Sequence, residues 1–217
     1  MYYNIAKKVG DTMEVKNKVM YHYHKLGLYD DIWQVGNKIM VDSNFNSFCG
    51  SIVDKFTTAV KCENGIFSLE KIIDKYLNDI SIENVDLKTI TNLLKASSAI
   101  ITKADMYNRE LMLEKYRKEN NPKLPSRLHS IWLADKESLN FWEGQLNGRR
   151  KLKLYRVSVT GNLFKSSDSF IPDDELTAKE MYEASSAYWN PVFSEEDLCK
   201  AEYLFQGKVK VLEKINK

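Results

Sequence analysis

Residues 125–142 read PSRLHSIWLADKESLNFW, and the parsing of this stretch decides the fold. Pro125 keeps the residue before it out of the helical region. Ile131-Trp132-Leu133 is a short apolar run of strand character. Asp135 stands where an N-cap opens a helix presenting Leu139, Trp142 and Leu146, closed by Gly148. The segment is a strand-to-helix connection entered through Ser126-Arg127 and Ser130. An arginine at a strand entrance can fork onto a pyrophosphate, and a serine can bond a ribose or an amide. A surface arginine in a turn after Pro125 is the competing reading.

Upstream, from Phe45 to Asn121, the apolar spacing turns helical. Ser68 caps a helix carrying Leu69, Ile72, Ile73, Tyr76, Leu77 and Ile80 on one face, with Glu70 in its first turn. Asp86 caps a second, with Leu87, Ile90, Leu93, Leu94 and Ile101 at helical spacing. A charged third helix, from about 103 to 119, stops at Asn120-Asn121-Pro122. These stripes read as core faces. Downstream, KLKLYRVSVTGNLF (151–164) alternates like a half-buried strand that turns at Thr160-Gly161. Thr177 and Glu180 form a capping box, and Ser194 opens a short acidic helix. The chain ends on YLFQGKVKVLEKI, a strand pair or one strand bulged around Gly207. At the other end MYYNIAKKVG reads as a strand, and VGDTMEV (9–15) is echoed by VGNKIMV (35–41), as if two pieces share one sheet. The expectation is an α+β protein of one domain, with sheet-forming residues 1–44 and 122–217 around a helical insertion at 45–121.

The composition narrows the functional classes. The 217 residues include 32 Lys and Arg against 30 Asp and Glu, a net charge of +2, which gives no electrostatic case for a nucleic-acid partner or a membrane surface. At 43% apolar and 12% aromatic the chain can bury a core. There is no apolar run long enough to span a bilayer and no signal-peptide core in MYYNIAKKVGD, so a soluble, cytoplasmic protein is expected. Cys49, Cys62 and Cys199 have neither metal spacing nor the even count of a disulfide framework. His22 and His24 share one side of a strand and could share a metal, but no third ligand stands at a recognisable spacing; surface histidines are the simpler reading, and no metal is expected. His129 beside Ser130 lacks a nucleophile elbow. Glu202, a carboxylate opening the apolar strand of CKAEYLFQGKVKV, is the second residue that asks for a function.

Three pieces in this order resemble the ADP-ribosyltransferase fold: MYYNIAKK in place of the first motif, SRLHSIWLADKESLNFW as the serine-bearing second, and AEYLFQGKVKV as the last, where a glutamate opens a strand of the form Glu-apolar-Leu-apolar. The chain as a whole looks like a small bacterial family of that type, sharing the Ser-Arg entry and the Ala187-Tyr188-Trp189 run. The resemblance implies a split β-sheet core, with residues 45–121 inserted between the first and second motifs, and a cleft for NAD. In that fold the nicotinamide–ribose bond breaks through an oxocarbenium-like state. By this resemblance Glu202 is the catalytic carboxylate, Ser130 the second-motif serine, Arg127 a nucleotide anchor, and Tyr3 and Trp132 the aromatic faces for the nicotinamide ring. The first motif normally supplies a histidine or arginine; YYNIA has neither, which leaves Tyr3 and Asn4 as hydrogen-bonding substitutes. Lys200 stands two residues before Glu202, so the paired-glutamate pattern that directs transfer to proteins is absent and the acceptor is open. Two functions follow: an NAD-binding protein that transfers ADP-ribose or hydrolyses NAD, or a non-catalytic interaction module on the same scaffold.

Overall fold

A computed structural model describes residues 12–25, 27, 30–42, 56–62, 65–79, 87–146 and 152–215. Within them the chain is α+β. Seven strands are β1 (Met13–Lys25), β2 (Lys38–Val41), β3 (Ala59–Cys62), β4 (Gly65–Ser68), β5 (Ile131–Leu133), β6 (Leu152–Ser167) and β7 (Ala201–Ile215). The helices are α1 (Leu69–Asp79), α2 (Leu87–Asn120), α3 (Leu139–Leu146), α4 (Ala178–Trp189) and the short α5 (Glu195–Cys199).

The main sheet is antiparallel and runs β1-β6-β7-β2, with β5 also on β7. β2 pairs Gly207–Lys210 and β5 pairs Tyr203–Phe205, so they occupy successive stretches of that strand. Just beyond β5, Tyr21 and Ala134 exchange backbone hydrogen bonds of 2.9 and 2.8 Å. That bridge joins β5 to β1 and closes the path β1-β6-β7-β5 on itself. Strand alternation then sorts side chains to two sides. Met20, Ile131, Leu133, Val157, Val159, Leu163, Tyr203, Phe205 and Val209 form one buried cluster, roofed by Trp33. Leu113, Leu124, Phe164, Tyr188, Trp189 and Leu204 form the second, between the sheet and helices α2 and α4. Trp189 is fully buried and donates its indole N–H to the Leu113 carbonyl at 2.8 Å, locking α4 onto α2.

Local expectations hold at several ends. The Lys71 amide donates to Ser68 Oγ at the start of α1, the Thr177–Glu180 capping box forms, and Ser194 opens α5, where the structure adds a capping box with Asp197. The structure differs elsewhere. The second and third expected helices are one helix of 34 residues, α2. The shift to charged composition near Lys103 marks a change of surroundings, since no Gly or Pro interrupts the helix before Asn120. The 45–121 stretch also carries the β3-β4 hairpin, so its described part is not helix alone. β6 does not turn at Thr160-Gly161 but continues to Ser167. Gly161 lies opposite Gly207 with φ +149° and +138°, and a Cβ on Gly207 would sit 2.6 Å from the Thr160 carbonyl oxygen. Those glycines let two long strands approach; they do not end them. YLFQGKVKVLEKI lies within the single strand β7. The echoed pieces reach one sheet through β1 and β2, which are not neighbours in it. The expected strand 1–10 lies outside the described residues.

Candidate functional site

The loop that carries the Ser-Arg entry is pinned to the end of α2 by charge. Arg117 forks onto Glu114, Nε to Oε2 at 2.9 Å and Nη2 to Oε1 at 2.7 Å, and its Nη1 donates to the carbonyls of Pro122 and Leu124. Ser126 Oγ closes the same unit with a 2.9 Å bond to Glu114. These bonds satisfy backbone groups of a loop that would otherwise be buried unpaired.

Fixed this way, the loop delivers Arg127 into the space between α2, α4 and β7. Its Nε and Nη2 fork onto Glu110 at 2.9 and 3.0 Å. Its Nη1 donates to Tyr188 Oη at 2.6 Å and to Glu202 Oε1, and the Tyr188 hydroxyl donates to the same Glu202 oxygen. The guanidinium carbon lies 4.7 Å from the Tyr188 ring centre and 5.6 Å from that of Trp132. Four elements meet here: Glu110 on α2, Arg127 before β5, Tyr188 on α4 and Glu202 at the head of β7. All four side chains are buried, none more than 5% exposed. One guanidinium therefore faces two carboxylates away from water.

Electrostatics follows from that enclosure. Burial opposes the Arg127 charge, but Glu110, Tyr188 and Glu202 outweigh it and hold its pKa well above the ordinary value. Burial raises Glu202 above the ordinary carboxylate value against the pull of Arg127 and the Tyr188 donor, with Asp168 and Glu110 adding to the rise. Burial also raises Asp168, at the start of the 3-10 turn Asp168–Phe170, against Arg127, Arg109 and Lys200. Across the sheet, Tyr203 donates to Asp135 Oδ2 at 2.6 Å, while Asp135 Oδ1 takes the Ser138 amide and hydroxyl; the expected cap residue thus anchors β7 as well as its own turn.

Of the residues singled out in the sequence, Arg127, Trp132 and Glu202 come together on one side of the sheet, and Ser130 is fully buried at the entrance of β5. Arg127 is no surface arginine. Tyr3 and Asn4 lie outside the described residues. His22 and His24 are not free surface residues either, whereas His129 is exposed. His24 is 7% exposed, with Nε2 2.8 Å from Asp30, and His22 stacks on Trp33 with ring centres 4.1 Å apart. His22 Nδ1 donates to the Trp132 carbonyl at 2.9 Å, which makes it a second tie between β1 and β5. Desolvation lowers the His22 pKa to about 4 and lowers that of His24 as well. Among the described residues no group of three or more His, Cys, Asp or Glu is placed to hold a metal, and no helix is long and apolar enough to cross a membrane.

Sequence reasoning missed Glu110 and Tyr188. A signal for the first existed: Glu110, Glu114 and Arg117 recur at core-facing intervals on a helix that also carries buried Leu113, so charge was being directed inward. Tyr188 shows in the sequence only as a member of the Ala187-Tyr188-Trp189 run and of a helix face shared with Met181 and Ala184, with nothing to mark it as a partner of Arg127.

Residues 20–217 match the family model described as Protein of unknown function (DUF2441). The chain belongs to the DUF2441 family. The match spans β1 from Met20 through β7 and so contains every member of the Arg127 cluster. No curated protein matches the chain.

Proposed function

We propose that this DUF2441 protein is an NAD-binding protein of ADP-ribosyltransferase-like type that transfers ADP-ribose or hydrolyses NAD. The observation that carries the reading is the meeting of Arg127, Trp132 and Glu202, drawn from the second and last sequence motifs, on one side of a sheet closed by the Tyr21–Ala134 bridge. In this reading Glu202 holds a ribose hydroxyl and stabilises the positive charge that develops at C1′ as the C–N bond breaks. Nicotinamide leaves with the bonding electron pair, and water or an acceptor nucleophile adds to C1′. Tyr188 and Arg127 set the ionisation and direction of that carboxylate, and Trp132 offers an aromatic face to the cationic ring. The test is nicotinamide release from NAD by the wild type and by Glu202→Gln, which keeps the side-chain shape. Turnover lost in the variant with unchanged thermal stability supports the reading.

A second reading is favoured by one specific observation. Glu202 and Arg127 are 3% and 5% exposed and are bonded to each other, to Glu110 and to Tyr188. A cluster enclosed in this way ties α2 and α4 to β7, as a non-catalytic interaction module requires. No nicotinamide release and no heat of NAD binding, from protein shown to be folded, decides for that module.

A further inference from the structure

The carboxylates that surround the Arg127 cluster have partners. Glu110 and Glu202 hold Arg127, Glu114 holds Arg117, and Asp174 pairs with Arg109 Nη1 at 2.5 Å. Asp197 caps its own helix. Asp168 differs. It is only partly exposed, yet among the described residues its carboxylate has no hydrogen-bond or ion-pair partner.

The strand register places that free carboxylate. β6 and β7 pair Ser166 with Glu202 and Ser167 with Ala201, and the Asp168 amide continues to the Lys200 carbonyl at 3.1 Å. Residues two apart on a strand share a face, so Asp168 follows Ser166 and Glu202 onto the side of α2 and α4. Ser166 points that way, its Oγ donating to the Tyr188 carbonyl at 2.8 Å. Asp168 thus stands one two-residue repeat, about 7 Å along the strand, from the Ser166–Glu202 pair, at the rim of the cluster. Three cations face it: Arg127 from the loop before β5, Arg109 from α2, and Lys200 just before β7. Glu202 faces it as a like charge. Burial outweighs the cations and holds the Asp168 carboxyl above its ordinary value, which makes it the stronger base.

Loss of nicotinamide leaves an electron-poor C1′, and a neutral O–H nucleophile adding there must give up a proton. Glu202 is enclosed and already bonded to Arg127 and Tyr188, so it has no route for that proton to solvent. Asp168 has one. Arg109 and Lys200 beside it disfavour a cationic acceptor, and an anionic acceptor needs no base.

We infer that Asp168 is the general base of the site and that its nucleophile is water, so that the chain hydrolyses NAD. The water oxygen bonds to C1′ as the C1′–N bond breaks, and nicotinamide leaves with that bond's electron pair. The water proton passes to Asp168 Oδ and on to solvent, and the products are ADP-ribose, nicotinamide and a proton. The inference rests on the NAD reading and adds a residue which that reading does not require.

Nicotinamide release by the wild type, Asp168→Asn and Asp168→Ala tests it, with NAD binding followed by calorimetry. Release slows by about 100-fold or more in both variants, while NAD affinity and thermal midpoint are kept. Sodium azide restores release in Asp168→Ala, because the azide anion adds to C1′ without giving up a proton; a purely structural role would not respond to it. Release retained in Asp168→Asn, or lost in Asp168→Ala without rescue by azide, overturns the inference and leaves the NAD reading standing. ADP-ribose recovered on protein rather than free in solution overturns the assignment of water. A folded wild type that releases no nicotinamide and gives no heat with NAD removes both.

Discussion

Replacing Arg127 with methionine keeps much of the side-chain volume and removes the one cation in its cluster. Glu110 and Glu202, each 3% exposed, are then left buried without it. Breaking a buried pair from one side costs about 3–5 kcal/mol, because the remaining charge has neither water nor a partner. For a chain of this size that is a fall in thermal midpoint of about 6–20 °C. Urea denaturation followed by tryptophan fluorescence measures the loss. The pH dependence gives the reasoning its sign. Glu202 already has a folded pKa above the ordinary 4.5, and losing the pull of Arg127 raises it further. The folded variant therefore binds a proton that the unfolded chain releases, and its stability falls as pH rises from about 4.5 towards neutrality. The deficit against wild type is largest near pH 7 and narrows towards pH 5. Adding Glu110→Gln and Glu202→Gln to Arg127→Met removes the stranded charges and recovers much of the loss. A deficit under about 1 kcal/mol, or one that widens on acidification, refutes the account of a desolvated cluster.

Tyr188→Phe deletes the hydroxyl that donates to Glu202 while leaving Arg127 in place, and a loss of about 1–3 kcal/mol in urea denaturation is expected. Gly207→Ala forces a Cβ against the Thr160 carbonyl at a φ of +138°, so a loss above about 1 kcal/mol is expected in thermal denaturation; an unchanged midpoint contradicts the close strand approach. His22, whose pKa is lowered to about 4, binds fewer protons folded than unfolded, so stability is lost as pH falls from 6.5 towards 4, by at most about 3 kcal/mol. His22→Asn, which can still donate to the Trp132 carbonyl, flattens that part of the stability–pH profile.

The fold and the cluster were legible to different depths. Strands and caps could be read because their signals are local: Thr177 and Glu180 are three residues apart, and Ile131-Trp132-Leu133 is a contiguous apolar run. The closure of the sheet could not, because the Tyr21–Ala134 bridge joins residues far apart in the chain through backbone groups that carry no sequence signature. The glycines misled for a related reason. Gly161 suggests a turn until Gly207 is known to lie opposite it, and only cross-strand register reveals that the pair serves close packing. Arg127 and Glu202 were conspicuous as polar residues at strand entrances. Their partners were not, since Glu110 sits in a helix whose composition looks solvated and Tyr188 in one whose apolar face looks like ordinary core. His22 and His24 look like surface residues in the sequence because nothing in YHYH announces that Trp33 folds back over the strand.

The most direct test of the proposed function is calorimetric titration of NAD into the folded wild-type chain and into Trp132→Leu, which leaves the Arg127–Glu110–Glu202 bonds in place. The account predicts saturable binding in the wild type that is clearly weakened in the variant. No heat at saturating NAD, with the thermal midpoint unmoved by the nucleotide, contradicts it and leaves the enclosed cluster as the structural tie of an interaction module.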